Sequence, residues 1–455
     1  MVDVTSVVII GGGPGGYEAA LVAAQLGASV TIVDRDGIGG SAVLTDCVPS
    51  KTLIATAGVV TQGRGVDELG VDLGGINVDF KRVNERVLAL AKAQSDDIVA
   101  RLEREGIRII NGTGKLDGPH TVVTSTGETP DADAVLIATG TRPRVLEDAL
   151  PDGERILTWE QLYDLPELPS KLIVVGSGVT GAEFASAYYA LGSEVVLISS
   201  RDRVLPGEDP DAAKVLEDVF VERGVTVMAN SRAVAARREG DKVIVTLKDG
   251  QEIEGSHVLM AVGSQPNVED LNLESAGVEL DDRGFIKVDR VSRTTARGVY
   301  AAGDCTGVLM LASVAAMQGR IAMWHALGDA VQPIDLTTVC SAIFTDPEIA
   351  TVGYSQRDLD EGNIRGEVVI LPLATNARAK MDGVKHGFVK LICRRGSRIV
   401  AGGVIVGPRA SELIFPLTVA VEQRLTVDQL ASTFTVYPSL SGSIAEAARR
   451  LRATE

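Results

Sequence analysis

Six residues into the chain comes a run of four apolar residues, Val7-Val8-Ile9-Ile10, that stops at Gly11. A continuous apolar run, rather than an alternating one, predicts a strand buried on both faces, as in a parallel sheet. Glycines crowd the next positions, Gly11-Gly12-Gly13-Pro14-Gly15-Gly16, and a helix is predicted from Tyr17 to Leu26. Gly27 ends that helix, and Ser29 to Val33 form a second apolar strand closing on Asp34. The same order returns later in the chain. Leu172-Ile173-Val174-Val175 runs into Gly176-Ser177-Gly178-Val179-Thr180-Gly181, then a helix to about Leu191, then Gly192 and a strand from Glu194 to Ile198. Strand, glycine turn, helix, glycine and strand is the order of a βαβ dinucleotide-binding unit, and it occurs twice.

Between the two units lie a polar amphipathic stretch, about Phe80 to Glu105, and short alternating strands ending in Ala138-Thr139-Gly140. A similar pattern after the second unit ends in Ala261-Val262-Gly263. Gly298-Val299-Tyr300-Ala301-Ala302-Gly303-Asp304 reads as a further buried strand that stops at an acid. From about Val331 the texture changes to hairpin-like strands, Thr338 to Val352, Gly366 to Leu371 and Gly387 to Val406, with two late helices. This predicts a separate α+β domain at the C-terminal end of an otherwise α/β protein.

Composition narrows the partners. The 455 residues carry a formal net charge of −17, which argues against nucleic acid and against docking on anionic lipid headgroups. The N-terminal residues lead directly into a strand, so no secretory signal is expected, and no apolar run approaches the length needed to span a bilayer. Cys47, Cys305, Cys340 and Cys393 are scattered without CxxC spacing. Neither a disulfide framework nor a metal site is therefore expected, and a reducing cytoplasm is the expected location.

The glycines carry the first chemistry. Gly11 and Gly176 permit the tight turn, Gly13 and Gly178 let a pyrophosphate approach the backbone, and Gly16 and Gly181 allow close helix–strand packing. The helix that follows presents unpaired N–H groups and a positive dipole end to the phosphates. Asp34 is placed to accept hydrogen bonds from an adenosine ribose, as FAD or NAD requires. At the second site Ser199 occupies the corresponding strand end, followed by Ser200, Arg201, Asp202 and Arg203. With no acid at the strand end itself, and Arg201 and Arg203 available, a 2′-phosphate could be accommodated, which favours NADPH slightly, or tolerance of both nucleotides, over strict NADH use.

With two nucleotide units and the Gly303-Asp304 strand end in one chain, the sequence resembles the pyridine nucleotide–disulfide oxidoreductase flavoproteins, the family of lipoamide dehydrogenase and glutathione reductase. The likeness runs from the N-terminus to about Arg450 and includes Phe344-Thr345-Asp346-Pro347-Glu348, similar to the family's interface-domain signature. It implies a glutathione-reductase-like fold with two Rossmann-like domains. An FAD-binding domain would occupy 1–150 and 270–335, an NAD(P)-binding domain 151–269, and an interface domain forming a homodimer 336–455. The resemblance also implies contacts to tightly bound FAD from Gly11, Gly13, Pro14, Gly15, Gly16, Asp34, Arg35, Gly40, Ser41, Cys47, Lys51, Ala138, Thr139, Gly140, Gly303 and Asp304. Contacts to exchangeable NAD(P)H would come from Gly176, Gly178, Val179, Thr180, Gly181, Glu183, Ser199, Arg201, Arg203 and Gly263. Lys51 and Glu183 match the family's ion pair beside the flavin, which would place positive charge where the flavin gains electron density.

The departures from the family decide the expected reaction. Its redox segment reads GGTCLNVGCIPSK, whereas this chain has Gly39-Gly40-Ser41-Ala42-Val43-Leu44-Thr45-Asp46-Cys47-Val48-Pro49-Ser50-Lys51. The first cysteine is replaced by Ala42 and only the flavin-proximal Cys47 is kept, so dithiol–disulfide interchange has no second sulfur. The family's C-terminal HxHPTLSE, which supplies a His–Glu acid–base pair, is here Thr435-Val436-Tyr437-Pro438-Ser439-Leu440-Ser441-Gly442, with Tyr437 and Gly442 in place of that His and Glu. What remains is hydride acceptance from NAD(P)H and delivery to an acceptor that meets the flavin directly. Quinones are flat, take two electrons and need little covalent help. The sequence thus resembles the bacterial branch of the family that reduces quinones, with Tyr437 lining the acceptor pocket across a dimer and no stable membrane insertion. Three alternatives stay open at this point. They are an oxidase or peroxidase cycling Cys47 through sulfenic acid, a soluble transhydrogenase, and a non-enzymatic flavin-bound sensor.

Overall fold

The computed structural model describes residues 4–452. These form two compact units. The first contains the chain up to Thr52 with Asn84–Arg144 and Gly263–Asp335, and the second contains Leu53–Val83, Val145–Val262 and the chain from Leu336 onward.

The first unit is built on a five-stranded parallel sheet in the order Val299–Ala301, Ala134–Ile137, Ser6–Ile10, Ser29–Asp34, Arg108–Asn111. Its central strands are apolar throughout because both faces are covered; Ile9, Ile32, Leu136 and Ile137 have no exposed surface. The helix after the first turn runs Pro14–Gln25, three residues ahead of its expected start. Proline suits that first position, since its missing N–H would have had no helical partner. This helix packs on the helix Ala312–Ala326 at a pair of glycines, where a Cβ on Gly319 would sit 2.1 Å from the Gly15 carbonyl oxygen. The strand expected over Gly298–Asp304 is shorter, Val299–Ala301. Gly303, at φ 81°, turns the chain out of the sheet and Asp304 opens a short 3-10 turn.

The second unit contains an analogous parallel sheet in the order Thr226–Met228, Glu194–Ile198, Lys171–Val175, His257–Met260, Ile156–Leu157. A three-stranded antiparallel sheet, Ala233–Glu239, Lys242–Leu247 and Glu252–Gly255, shares a core with it through Val243, Val245 and Leu247. The C-terminal part of this unit is a five-stranded antiparallel sheet ordered Cys340–Ile343, Glu348–Gly353, Val400–Gly407, Phe388–Arg394, Gly366–Pro372. Among the described residues the late helices number four rather than the expected two: Ala410–Leu413, Phe415–Glu422, Val427–Ser432 and Gly442–Arg452. Arg424, at positive φ, and a capping box from Thr426 to Gln429 separate the middle pair.

Gly40–Leu69 is helical over enough length, and apolar enough, to meet the composition of a membrane span. The expectation concerned an unbroken apolar run, which this stretch does not contain. Between Cys47 and Gly65 the only charged residues are Lys51 and Arg64, so the stretch is apolar on average without containing an unbroken run.

Candidate functional site

The first glycine turn sits at the carboxyl ends of the central strands of the first unit, where ligands of open parallel sheets bind. Gly11 has φ 110°, and a Cβ there would lie 2.2 Å from the Ala138 carbonyl oxygen. Gly16 is equally constrained, its hypothetical Cβ falling 1.9 Å from the Gly11 oxygen. Gly15 is closed in by Ala302 and Ala315 at 3.2–3.3 Å. Gly13 differs: its φ is −70°, and a Cβ would meet only the Gly40 Cα, at 4.0 Å. The turn therefore presents bare backbone at Gly13 and the amino end of the Pro14–Gln25 helix, a cradle suited to an anion. Gly40, at φ 57°, backs onto Gly13, and Ser41 beside it is exposed.

Asp34 closes the second strand and accepts from the amides of Gly12 (2.6 Å), Asp36 (2.9 Å) and Gly37 (2.6 Å). Burial pushes its carboxyl above the usual range while those amides pull it back. Arg35 points outward and pairs with Asp36 at 3.0 Å. The Ala138-Thr139-Gly140 turn is clamped by Asn267: Thr139 Oγ1 donates to the Asn267 carbonyl at 2.7 Å and Asn267 Nδ2 returns to the Thr139 carbonyl at 3.0 Å. The Gly303 amide donates to Gln318 Oε1 at 2.9 Å, and Gln318 is 1% exposed. Asp304 is the most perturbed acid of this group. Burial, then the neighbouring charge of Asp46, pushes its carboxyl up to about 6, against a weak 3.4 Å donation from Thr141. Asn267, Gln318 and Asp46 carry no local motif, which is why sequence reading missed them; each acts from a distant segment or replaces a glycine of the family pattern.

Cys47 opens the helix Cys47–Gly65 and is half-buried, with Lys51 one turn further on. Ala42 lies in the preceding short helix Gly40–Leu44. The nearest cysteine in sequence to the Asp304 turn is Cys305, which is wholly buried, donates to the Ala302 carbonyl at 3.3 Å and has its thiol pushed up to about 11 by burial. It is built as a core residue and not as a replacement redox partner.

The second turn repeats the first. A Cβ on Gly176 would sit 2.1 Å from the Ala261 oxygen, and one on Gly181 1.8 Å from the Gly176 oxygen, whereas Gly178 faces open space. Val179 and Thr180 begin the helix Val179–Leu191, and Gly263, at φ 100°, also borders open space. Ser199 stands at the strand end as expected, but it is fully buried and turned into its own loop. Its hydroxyl accepts from Ser177 Oγ at 2.7 Å and from the Arg201 amide at 3.1 Å, and lies 3.1 Å from the carbonyls of Arg201 and Arg203. Arg201 is exposed. Arg203 is half-buried; one guanidinium nitrogen reaches the Pro206 carbonyl at 3.4 Å while Nε is buried without a hydrogen bond, a donor left over for an anion. Glu183 is 3% exposed and accepts from the Phe344 amide at 2.9 Å, so the Phe344–Glu348 signature docks on the Val179–Leu191 helix. Asp346 completes that contact, its amide donating to Ser186 Oγ at 3.1 Å and its carboxylate pairing with Arg223 at 3.0 Å. Lys51 belongs to the first unit and Glu183 to the second. Tyr437 is 86% exposed, beside Phe434 and Val436, which are equally open.

Two parallel dinucleotide sheets, each with its own glycine turn, followed by an antiparallel α+β region, define a two-nucleotide α/β oxidoreductase architecture. The chain belongs to the pyridine nucleotide-disulphide oxidoreductase family, whose model matches residues 5–319, with the family's dimerisation domain matching 339–448. Membership implies FAD and NAD(P)H as cofactors, and the bare turns and buried acids of the first unit fit FAD. The chain is 55% identical to an NAD(P)H dehydrogenase (quinone) of Mycobacterium tuberculosis, covering 99% of this chain and 94% of that one. It is 34% identical to a dihydrolipoyl dehydrogenase of Chlamydia muridarum, covering 97% and 95%. Among solved structures, LpdA from Mycobacterium tuberculosis superposes with a TM-score of 0.94 at 55% identity, covering 98% of this chain and 100% of that one. The HOCl-induced flavoprotein disulfide reductase RclA of Escherichia coli superposes at 0.87 with 25% identity, covering 98% and 99%.

Proposed function

We propose that this chain is an FAD-dependent NAD(P)H:quinone oxidoreductase without disulfide reductase activity. The observation that carries the reading is Ala42 at the first position of the dithiol pattern, in a chain that keeps both nucleotide turns. The name of the 55%-identical relative, which specifies a quinone, supports the same acceptor.

When bound, the flavin supplies a two-electron carrier between nicotinamide and acceptor. The chain's own groups bind and orient. The Gly13 backbone and the amino end of the Pro14–Gln25 helix hold the FAD pyrophosphate, Asp34 the adenosine ribose, and Asp304 the ribityl chain, with Arg35, Ser41 and the Ala138–Gly140 turn at its borders. Gly178, Val179, Thr180 and Gly263 shape the nicotinamide-nucleotide turn, and Arg201 with Arg203 favours the 2′-phosphate of NADPH. Lys51 puts an ammonium where negative charge gathers. Tyr437, delivered across a homodimer, lines the quinone pocket. We assign 1–150 and 270–335 to the FAD domain, 151–269 to the NAD(P) domain and 336–455 to the dimer interface, in a cytoplasmic enzyme that holds FAD tightly.

Steady-state turnover of the purified flavoprotein with NADPH tests this reading. Menadione should support rapid NADPH oxidation while lipoamide and oxidised glutathione support none; brisk turnover of either disulfide contradicts it.

A further inference from the structure

Lys390 is the one lysine among the described residues that is wholly buried. It lies in the Phe388–Arg394 strand of the C-terminal sheet, and its ammonium sits 2.7 Å from Asp209 and 2.6 Å from Asp211. The Asp209 side chain is 2% exposed, so Lys390–Asp209 is an interior ion pair, whereas Asp211 is half exposed. Interior pairs are often no more stabilising than an apolar replacement of similar volume, so placing one here calls for a use beyond stability.

Asp209 supplies that use through its second oxygen. Oδ1 accepts from the amides of Asp211 (3.0 Å) and Ala212 (3.2 Å) and so caps the helix Pro210–Arg223, while Oδ2 meets Lys390. The same residue ends the irregular segment that starts at Ser199 and carries Arg201 and Arg203. Backbone bonds from the Asn230 amide to the Arg201 carbonyl (2.7 Å) and from the Leu205 amide to the Ser177 carbonyl (2.8 Å) hold that segment, and side chains anchor it at three further places. Ser177 and Ser199 fix its beginning; Glu217, accepting from the Val204 amide at 2.9 Å, fixes its middle; Lys390 with Asp209 fixes its end. The backbone bonds and the first two side-chain anchors come from the dinucleotide fold itself. The third comes from the C-terminal sheet.

We propose that Lys390 is a positioning residue for the nicotinamide nucleotide: by holding Asp209 it sets the 199–209 loop so that Arg201 and Arg203 meet the 2′-phosphate together. The inference rests on the reading of the second glycine turn as the NAD(P)H site, and it makes selectivity between the two nucleotides depend on a residue of the C-terminal sheet that touches neither.

The test is titration calorimetry on full-length, FAD-loaded protein with two probes, adenosine 2′,5′-bisphosphate and 5′-ADP. Wild type is compared with Lys390→Met and with Lys390→Met/Asp209→Asn, in which the lone buried carboxylate is neutralised while asparagine keeps the cap. In both variants the bisphosphate should bind about tenfold more weakly and 5′-ADP less than about threefold, a charge-assisted contact being lost at the 2′-phosphate alone. Amide exchange over 199–209 should rise with the flavin spectrum unchanged. Equal weakening of both probes, or none, in the double variant overturns the inference, whatever the folding of the single one. Wild type that binds neither probe overturns the site assignment itself, and this inference with it.

Discussion

Asp304 and Ala42 show what single residues decide. The Asp304 carboxyl titrates near 6, against 3.8 for a free aspartate, chiefly because it is buried. Between those two values the folded apoprotein holds a proton that the unfolded chain has released, so its stability falls as pH rises through that window. The shift of about two units corresponds to about 3 kcal/mol. Denaturant unfolding of the apoprotein from pH 4 to pH 7 should therefore show a wild-type decline that Asp304→Asn lacks, and the variant should retain less FAD after dialysis. Parallel pH curves for the two proteins would contradict the assignment. Cys47 is the second test at this scale: Cys47→Ser should keep quinone turnover within about threefold, whereas a sulfenic acid cycle would stop. The Ala42 replacement was plain in the sequence, because it breaks a contiguous pattern. Asp46, five residues after Ser41 and next to Cys47, was not; its charge matters only because the fold sets it near Asp304.

At the scale of elements, both glycine turns were legible because strand, turn and helix are contiguous and each glycine has a separate steric reason. Those reasons predict different outcomes for one added methyl. Gly13 and Gly178 have negative φ and nothing closer than 4.0 Å to a hypothetical Cβ, so alanine should leave folding intact. The methyl would instead occupy the place of a pyrophosphate. Gly13→Ala should yield a colourless protein. Gly178→Ala should stay yellow, with melting temperature within about 2 °C of wild type, yet bind NADPH at least about tenfold more weakly by titration. Gly16→Ala or Gly181→Ala, with contacts of 1.9 and 1.8 Å to backbone oxygens, should instead lower soluble yield. Ser199 marks where contiguity stopped helping. Its place at a strand end was predictable, but the inward turn of its hydroxyl depends on Ser177, twenty-two positions earlier. The late helices were undercounted for a related reason: the breaks lie at single residues such as Arg424 that are not typical helix breakers.

At the scale of the molecule, the three-part order of the chain could be read from two repeats and a change of texture, while long-range ties such as Lys390–Asp209 (181 positions apart) could not. Phe434, Val436 and Tyr437 leave a strongly exposed apolar segment in a region matching the family's dimerisation domain, which is the order expected if a second copy covers it. Phe434→Asp should shift the protein towards monomer in sedimentation and, with Tyr437 removed from a neighbouring site, lower quinone turnover more than reduction by NADPH. The central claim concerns the route of electrons out of the protein, and double-mixing anaerobic stopped-flow measures it most directly. Wild-type and Cys47→Ser proteins would be bleached with one equivalent of NADPH, then mixed with menadione or with lipoamide while the flavin absorbance is followed. The account predicts fast recovery of the yellow colour with menadione, at matching rates in both proteins, and no recovery with lipoamide. Recovery with lipoamide, or loss of the menadione phase in Cys47→Ser, would contradict it.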